Sequence, residues 1–194
     1  MKYSPDIHHR RSIRLKGYDY SQAGAYFVTL CTHNKECLFG EIANGAVRLN
    51  DEGRMVERWW LELSKKFPTI EIDQYIIMPN HLHGIIWVQY QKVVGADLRV
   101  CPDVTQGAHT GAPLPTIVQW FKTMTSNEYI RNVKSNGWPP FQGKLWQRNY
   151  YEHILRNENE LIRTSEYILN NPARWAEDEN NPAVMDNANG HRVM

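Results

Sequence analysis

Cysteine is scarce in this chain, and charge is nearly balanced. The 194 residues include 3 cysteines, Cys31, Cys37 and Cys101. They show no zinc-finger spacing, and their odd number argues against a disulfide framework. Lys and Arg number 22 against 21 Asp and Glu, a formal net charge of +1, so no global basic field announces nucleic acid. No apolar run approaches the length of a membrane span, and the N-terminus lacks the apolar core of a secretory signal. A cytoplasmic protein that does not enter a membrane is the simplest expectation. There are no internal repeats. What is present, 42% hydrophobic residues in a chain of this length, suffices for one domain with a sizeable core.

Charge is uneven along the chain. Residues 1–16 hold Lys2, Arg10, Arg11, Arg14 and Lys16 against Asp6 alone. This is either an arm that follows phosphates or a solvated terminus. After Trp175 the balance reverses, with Glu177, Asp178, Glu179 and Asp186 against Arg192. The expected division is a basic arm over 1–16, one domain over 17–175, and an acidic, mobile tail over 176–194. Residues 91–114, rich in Gly and Pro and without a sustained period, read as a long flexible loop.

The most informative segment is Met78-Pro79-Asn80-His81-Leu82-His83-Gly84-Ile85-Ile86-Trp87-Val88. Apolar runs on both sides read as two strands, with the histidines opening the second. Residues two apart on a strand share a face, so His81 and His83 project together, about 7 Å apart, while Leu82 faces the core. Two imidazoles so placed can hold a divalent metal, although a lone His-x-His is a weak signal. A second constellation lies near the other end, from Asn157 to Pro172. Asn157 and Glu160 form a capping pair for a helix, and Pro172 ends it. The expected apolar face is Leu161, Ile162, Ser165, Ile168 and Leu169. The opposite stripe carries Glu160, Arg163, Thr164, Tyr167 and Asn171, and Tyr167 and Asn171 are neighbours at i and i+4. A phenol beside a carboxamide is either ordinary surface or a nucleophile beside a third metal ligand.

His-hydrophobic-His on a strand, followed by a late helix bearing Tyr-x-x-x-Asn-Pro, resembles the single-tyrosine HUH transposases. Within them it is most similar to the REP-associated tyrosine transposases. Ala25-Tyr26-Phe27-Val28-Thr29-Leu30, Leu145-Trp146-Gln147-Arg148 and Glu152-His153-Ile154-Leu155-Arg156-Asn157 extend the resemblance over about residues 10–175. It implies a DNA endonuclease and strand transferase that binds hairpins of repetitive extragenic palindromes and cuts single-stranded DNA through a 5′-phosphotyrosine. It assigns Tyr167 as nucleophile and His81, His83 and Asn171 as ligands of Mg²⁺ or Mn²⁺. It implies a monomer ahead of the homodimer of the insertion-sequence relatives. A non-catalytic, domesticated hairpin-binding protein is the alternative.

The remaining pattern fits an α+β domain. Strands read at about 25–32, 70–78, 82–90 and 145–155, and helices from Asn50 to Lys66 and over about 115–134. A hairpin around Asn44-Gly45 is inserted between the first strand and the first helix. The order β-α-β-β-α-β with a C-terminal helix carrying the nucleophile is the ferredoxin-like arrangement. Tyr150 and Tyr151 are rival nucleophiles, read as core and cleft wall. Arg10, Arg11, Arg14, Lys16, Lys122 and Arg148 are the expected DNA contacts.

Overall fold

The computed structural model describes residues 18–89 and 112–184. Arg10, Arg11, Arg14 and Lys16, most of the expected loop 91–114, and residues 185–194 lie outside the described residues.

Four antiparallel strands form the main sheet. They are β1 (Gly24–Cys31), β4 (Ile70–Ile77), β5 (His81–Val88) and β6 (Tyr151–Leu155), in the order β4-β5-β1-β6. The central strands β1 and β5 are buried along nearly their whole length, as strands covered on both faces must be. Their register sets Thr29 opposite His83 and Cys31 opposite His81. Between β1 and the first helix, β2 (Gly40–Ala43) and β3 (Ala46–Leu49) make the expected hairpin. Its turn residues Asn44 and Gly45 have φ of 53° and 73°, as a type I′ turn needs. The last strand is shorter than expected. Residues 145–150 run irregularly, touching the sheet through one bridge between Thr32 and Trp146.

Helix α1 (Asp51–Lys66) is capped by Asn50, whose side chain accepts from the Gly53 amide, and has Asp51 and Glu52 at its positive end. Helix α2 covers Leu114–Ser135. Both pack on one sheet face around a core that includes Tyr26, Leu30, Trp60, Leu82, Phe121 and Trp146. Gly84 lets Trp60 settle onto β5: a Cβ there would stand 2.4 Å from the indole ring. Trp146 is a core residue, its indole N–H donating to Thr125 Oγ1 at 2.8 Å.

Helix α3 (Glu158–Asn170) covers the other face. Asn157 caps it by accepting from the Glu160 amide at 2.9 Å, and Glu160 reaches back to the Arg156 amide at 3.0 Å. A smaller core of Ala25, Phe27, Ile85, Leu155 and Ile168 lies beneath it, with Leu161 packed alongside. The helix is rotated from the expected orientation. Ile162 and Leu169 are 48% and 59% exposed, and the edge bearing Tyr167 and Asn171 turns toward the histidines. A 3₁₀ turn, Pro172–Glu177, then leads the chain back across the sheet. Residues 176–184, expected in the mobile tail, are part of this domain: Asn180 is buried, and its carbonyl is held by Asn80 Nδ2 at 2.7 Å. The acidic composition hid this, because the anchors are main-chain groups and one buried amide.

Candidate metal centre and nucleophile

Each histidine is oriented from behind. Asn80, in the β4–β5 turn, donates through Nδ2 to the carbonyls of Lys35 and Asn180. Its Oδ1 is thereby left to accept, and it faces His81 Nδ1 at 2.9 Å. His81 is therefore protonated on Nδ1, and its Nε2 presents a lone pair. His83 Nδ1 meets Thr29 Oγ1 at 2.8 Å. A hydroxyl donates or accepts, so Thr29 serves either tautomer of His83. The two Nε2 atoms face each other at 3.1 Å.

Both rings are buried. Burial pushes His81 down to about 4, against the opposing pull of Asp178 and Asn171. Burial, and then the neighbouring His81, hold His83 well below the usual imidazole value. Both are neutral near pH 7, the state a metal ligand requires.

Tyr167 and Asn171 meet this pair from α3. The Tyr167 hydroxyl lies 3.3 Å from His83 Nε2, and its ring packs edge-on against His83 and Phe27. Burial raises the phenol pKa, as do Asp178 and Glu179, while Arg174 and Asn171 oppose them. Asn171 is 4% exposed. Its Nδ2 donates to Asp178 Oδ2 at 3.1 Å, while its Oδ1 is buried with no hydrogen-bond partner. An unpartnered buried amide oxygen and two neutral imidazoles form a donor set that fits a divalent cation. Asp178 Oδ2 stands 3.8 Å from His81 Nε2, and ligand atoms of His81, His83 and Asp178 lie within 4.8 Å of one another. Asp178 is the residue that sequence reasoning missed.

Tyr167 divides two open clefts. One, of about 520 Å³, is lined by Arg163, Glu166, Asn171, Arg174 and the acidic residues 177–179. The other, of about 460 Å³, runs past Phe27, Thr29, His83, Tyr150 and Tyr151. Tyr151 is 53% exposed and packs edge-on against Phe27; Tyr150 lies under the Lys122 ammonium. Lys122 also donates to the carbonyls of Gln147, Arg148 and Asn149 at 2.8, 3.4 and 3.3 Å. It staples this loop rather than offering a free cation to phosphate. Arg148 is exposed, on the rim of a separate groove beside α2.

The fold is mixed α+β, with the paired histidines of β5 beneath the tyrosine-bearing helix α3. A REP-associated tyrosine transposase, solved bound to a REP hairpin, shares the fold: the TM-score is 0.52 at 16% identity, covering 86% of this chain and 74% of that one. The chain belongs to one family with an uncharacterized protein of Haemophilus influenzae, 43% identical over 180 residues, which are 92% of this chain and 96% of that protein. No protein-family model matches. No helix among the described residues is long and apolar enough to cross a membrane.

Proposed function

We propose that this protein is a metal-dependent single-strand DNA endonuclease and strand transferase, acting through Tyr167 on DNA that carries REP-like hairpins. One observation carries the reading: the hydroxyl of Tyr167, a residue that lines both clefts, lies 3.3 Å from His83 Nε2, which faces His81 Nε2 at 3.1 Å, and Asn171 on the same helix keeps a buried, unpartnered amide oxygen. The sheet order β4-β5-β1-β6, with α1 and α2 on one face, supports the ferredoxin-like assignment. Functions vary widely on that fold, so the site bears the weight.

In this reading His81, His83 and Asn171 hold Mg²⁺ or Mn²⁺, which when bound polarises the scissile phosphate. Asn80 and Thr29 keep both imidazoles aimed at the ion. The Tyr167 oxygen forms a bond to phosphorus as the bond from phosphorus to the 3′ oxygen breaks. The phenol gives up its proton, and the departing 3′ oxygen gains one. The 5′-phosphotyrosine conserves the bond energy, so the same strand or another can be rejoined without a nucleotide cofactor. Tyr167 and Asn171 share α3, so the nucleophile and one ligand are positioned by a single rigid element. Arg148 and the arm residues Arg10, Arg11, Arg14 and Lys16 are the proposed phosphate contacts. The site as described lies within one chain, which supports a monomer.

The test is incubation with end-labelled single-stranded hairpin DNA and Mn²⁺, followed by denaturing electrophoresis. A covalent protein–DNA band is expected from the unaltered protein and none from Tyr167→Phe, which should still bind the hairpin. A band that persists in Tyr167→Phe and disappears in a Tyr150 or Tyr151 variant would move the nucleophile to β6 or the loop before it. Binding without any adduct would favour the non-catalytic alternative.

A further inference from the structure

We infer that Asp178 is a further ligand of the metal centre, so that the ion ties the strap of residues 172–181 to the histidine strand. This rests on the metal-site part of the function proposed above and adds an anionic ligand from a separate segment.

The argument begins with charge. Asp178 is 5% exposed at its side chain and His81 0%. A buried carboxylate needs a cation or several donors to offset its lost hydration. Its Oδ1 accepts from the Asn180 amide at 2.6 Å, which closes the turn of the strap. Its Oδ2 accepts from Asn171 Nδ2 and otherwise points at His81 Nε2, 3.8 Å away. That nitrogen offers no proton, because Asn80 fixes the proton of His81 on Nδ1. Oδ2 thus joins two imidazole nitrogens within 4.8 Å, beside Asn171, whose Nδ2 it accepts from and whose Oδ1 is buried without a partner. A buried carboxylate oxygen facing neutral nitrogen donors lacks a positive partner, and a cation between them supplies it. Oxygen and imidazole donors in this number suit Mn²⁺ or Mg²⁺, with coordination positions left open.

The strap is built to present this oxygen. Lys35 Nζ holds the Glu179 carbonyl at 2.8 Å, and Asn80 Nδ2 holds that of Asn180. Trp175 lies over the His81 ring, with centroids 6.0 Å apart. These three contacts bind the strap to the β4–β5 turn and its neighbours without any ion. An ion held by Asp178 and the histidines would lock it there.

The experiment is Mn²⁺ titration by calorimetry of the full chain without DNA, combined with hydrogen exchange over residues 172–181. Asp178→Asn keeps the acceptor for the Asn180 amide and should weaken Mn²⁺ by at least about tenfold, the lower bound for loss even of groups behind a ligand. Glu177→Gln makes the same charge change on an exposed side chain of the strap and should shift affinity less than about twofold, as a screened surface charge does. Mn²⁺ should slow exchange in the strap of the unaltered protein and leave it unchanged in Asp178→Asn. Equal Mn²⁺ affinity for Asp178→Asn and the unaltered protein would overturn the assignment. So would Mn²⁺ protection of the strap that survives in Asp178→Asn. If Asp178→Asn fails to fold, the exchange response of the unaltered protein decides: no protection of 172–181 by Mn²⁺ overturns the inference. The two readings separate cleanly. A Mn²⁺-dependent DNA adduct with no effect of Asp178 sinks the ligand assignment alone; Asp178-dependent Mn²⁺ binding with no adduct sinks the nuclease alone.

Discussion

The two faces of the sheet are made by the same strands and do opposite work. Toward α1 and α2, alternate residues of β1 and β5 supply Tyr26, Val28, Leu30, Leu82 and Ile86 to an almost wholly apolar, aromatic core. Toward α3, the intervening residues supply Thr29, His81 and His83, and the helix and strap add Asn171, Asp178 and Asn180, all largely removed from water. Burial on the first face is favourable by itself. On the second it is costly unless each polar group finds a partner. The first face can therefore offset the cost of the second, and the pleat lets a strand carry both assignments residue by residue.

The contrast predicts that function and stability separate by face. Tyr167→Phe should abolish the DNA adduct while moving stability by less than about 0.5 kcal/mol, since it removes one oxygen from a half-exposed ring. Trp60→Ala, on the other face and far from any proposed chemistry, should cost about 3–5 kcal/mol in denaturant unfolding. If Tyr167→Phe instead unfolds the domain, the division by face fails. Asn80→Ala straddles the two: it frees His81 Nδ1 and cuts the ties to Lys35 and Asn180, and Mn²⁺ affinity should fall about 10–100-fold. Calorimetric titration checks it.

A smaller effect concerns acid. In chelator-treated protein, burial keeps His81 at about 4 and His83 below the normal range, whereas the unfolded chain protonates near about 6.5. Between these values the unfolded state binds protons that the native state does not, so stability falls as pH is lowered from about 6.5 toward 4. The loss should be about 3 kcal/mol from His81, with His83 adding to it in the same direction. It should shrink in a His81→Asn/His83→Asn double variant, as thermal midpoints over a pH series will show. The smallest expected change is in salt dependence. Removing residues 2–16 should weaken hairpin binding and flatten its salt slope by about 0.7–0.9 per lost phosphate contact. Identical slopes for both forms would make the arm a solvated terminus.

The histidine pair was legible because a period of two leaves little choice about which residues share a face. Tyr167 and Asn171 were legible as neighbours for the same kind of reason, four residues apart on one helix. The rotation of α3 was not. Leu161, Ile162, Ile168 and Leu169 admit more than one apolar stripe, and packing against Phe27 and Ile85 selected the one that buries Ile168 and half-buries Leu161. Lys122 looked like any surface cation until three carbonyls were seen around its ammonium. Asp178 was hidden by company: flanked by Glu177 and Glu179, it reads as solvated charge, and only the tertiary anchors of Asn80 and Asn180 reveal that it points inward.

Asn80 joins groups that leave the ribosome far apart in time. Lys35 and His81 emerge early, whereas Asn180 follows His83 by nearly a hundred residues, roughly 5–20 s at about 5–20 residues per second. For most of that interval a nascent chain carries the histidines but neither the tyrosine-bearing helix nor the strap. Translation thus imposes an order of assembly in which the histidine pair is made well before the helix and strap that complete its surroundings.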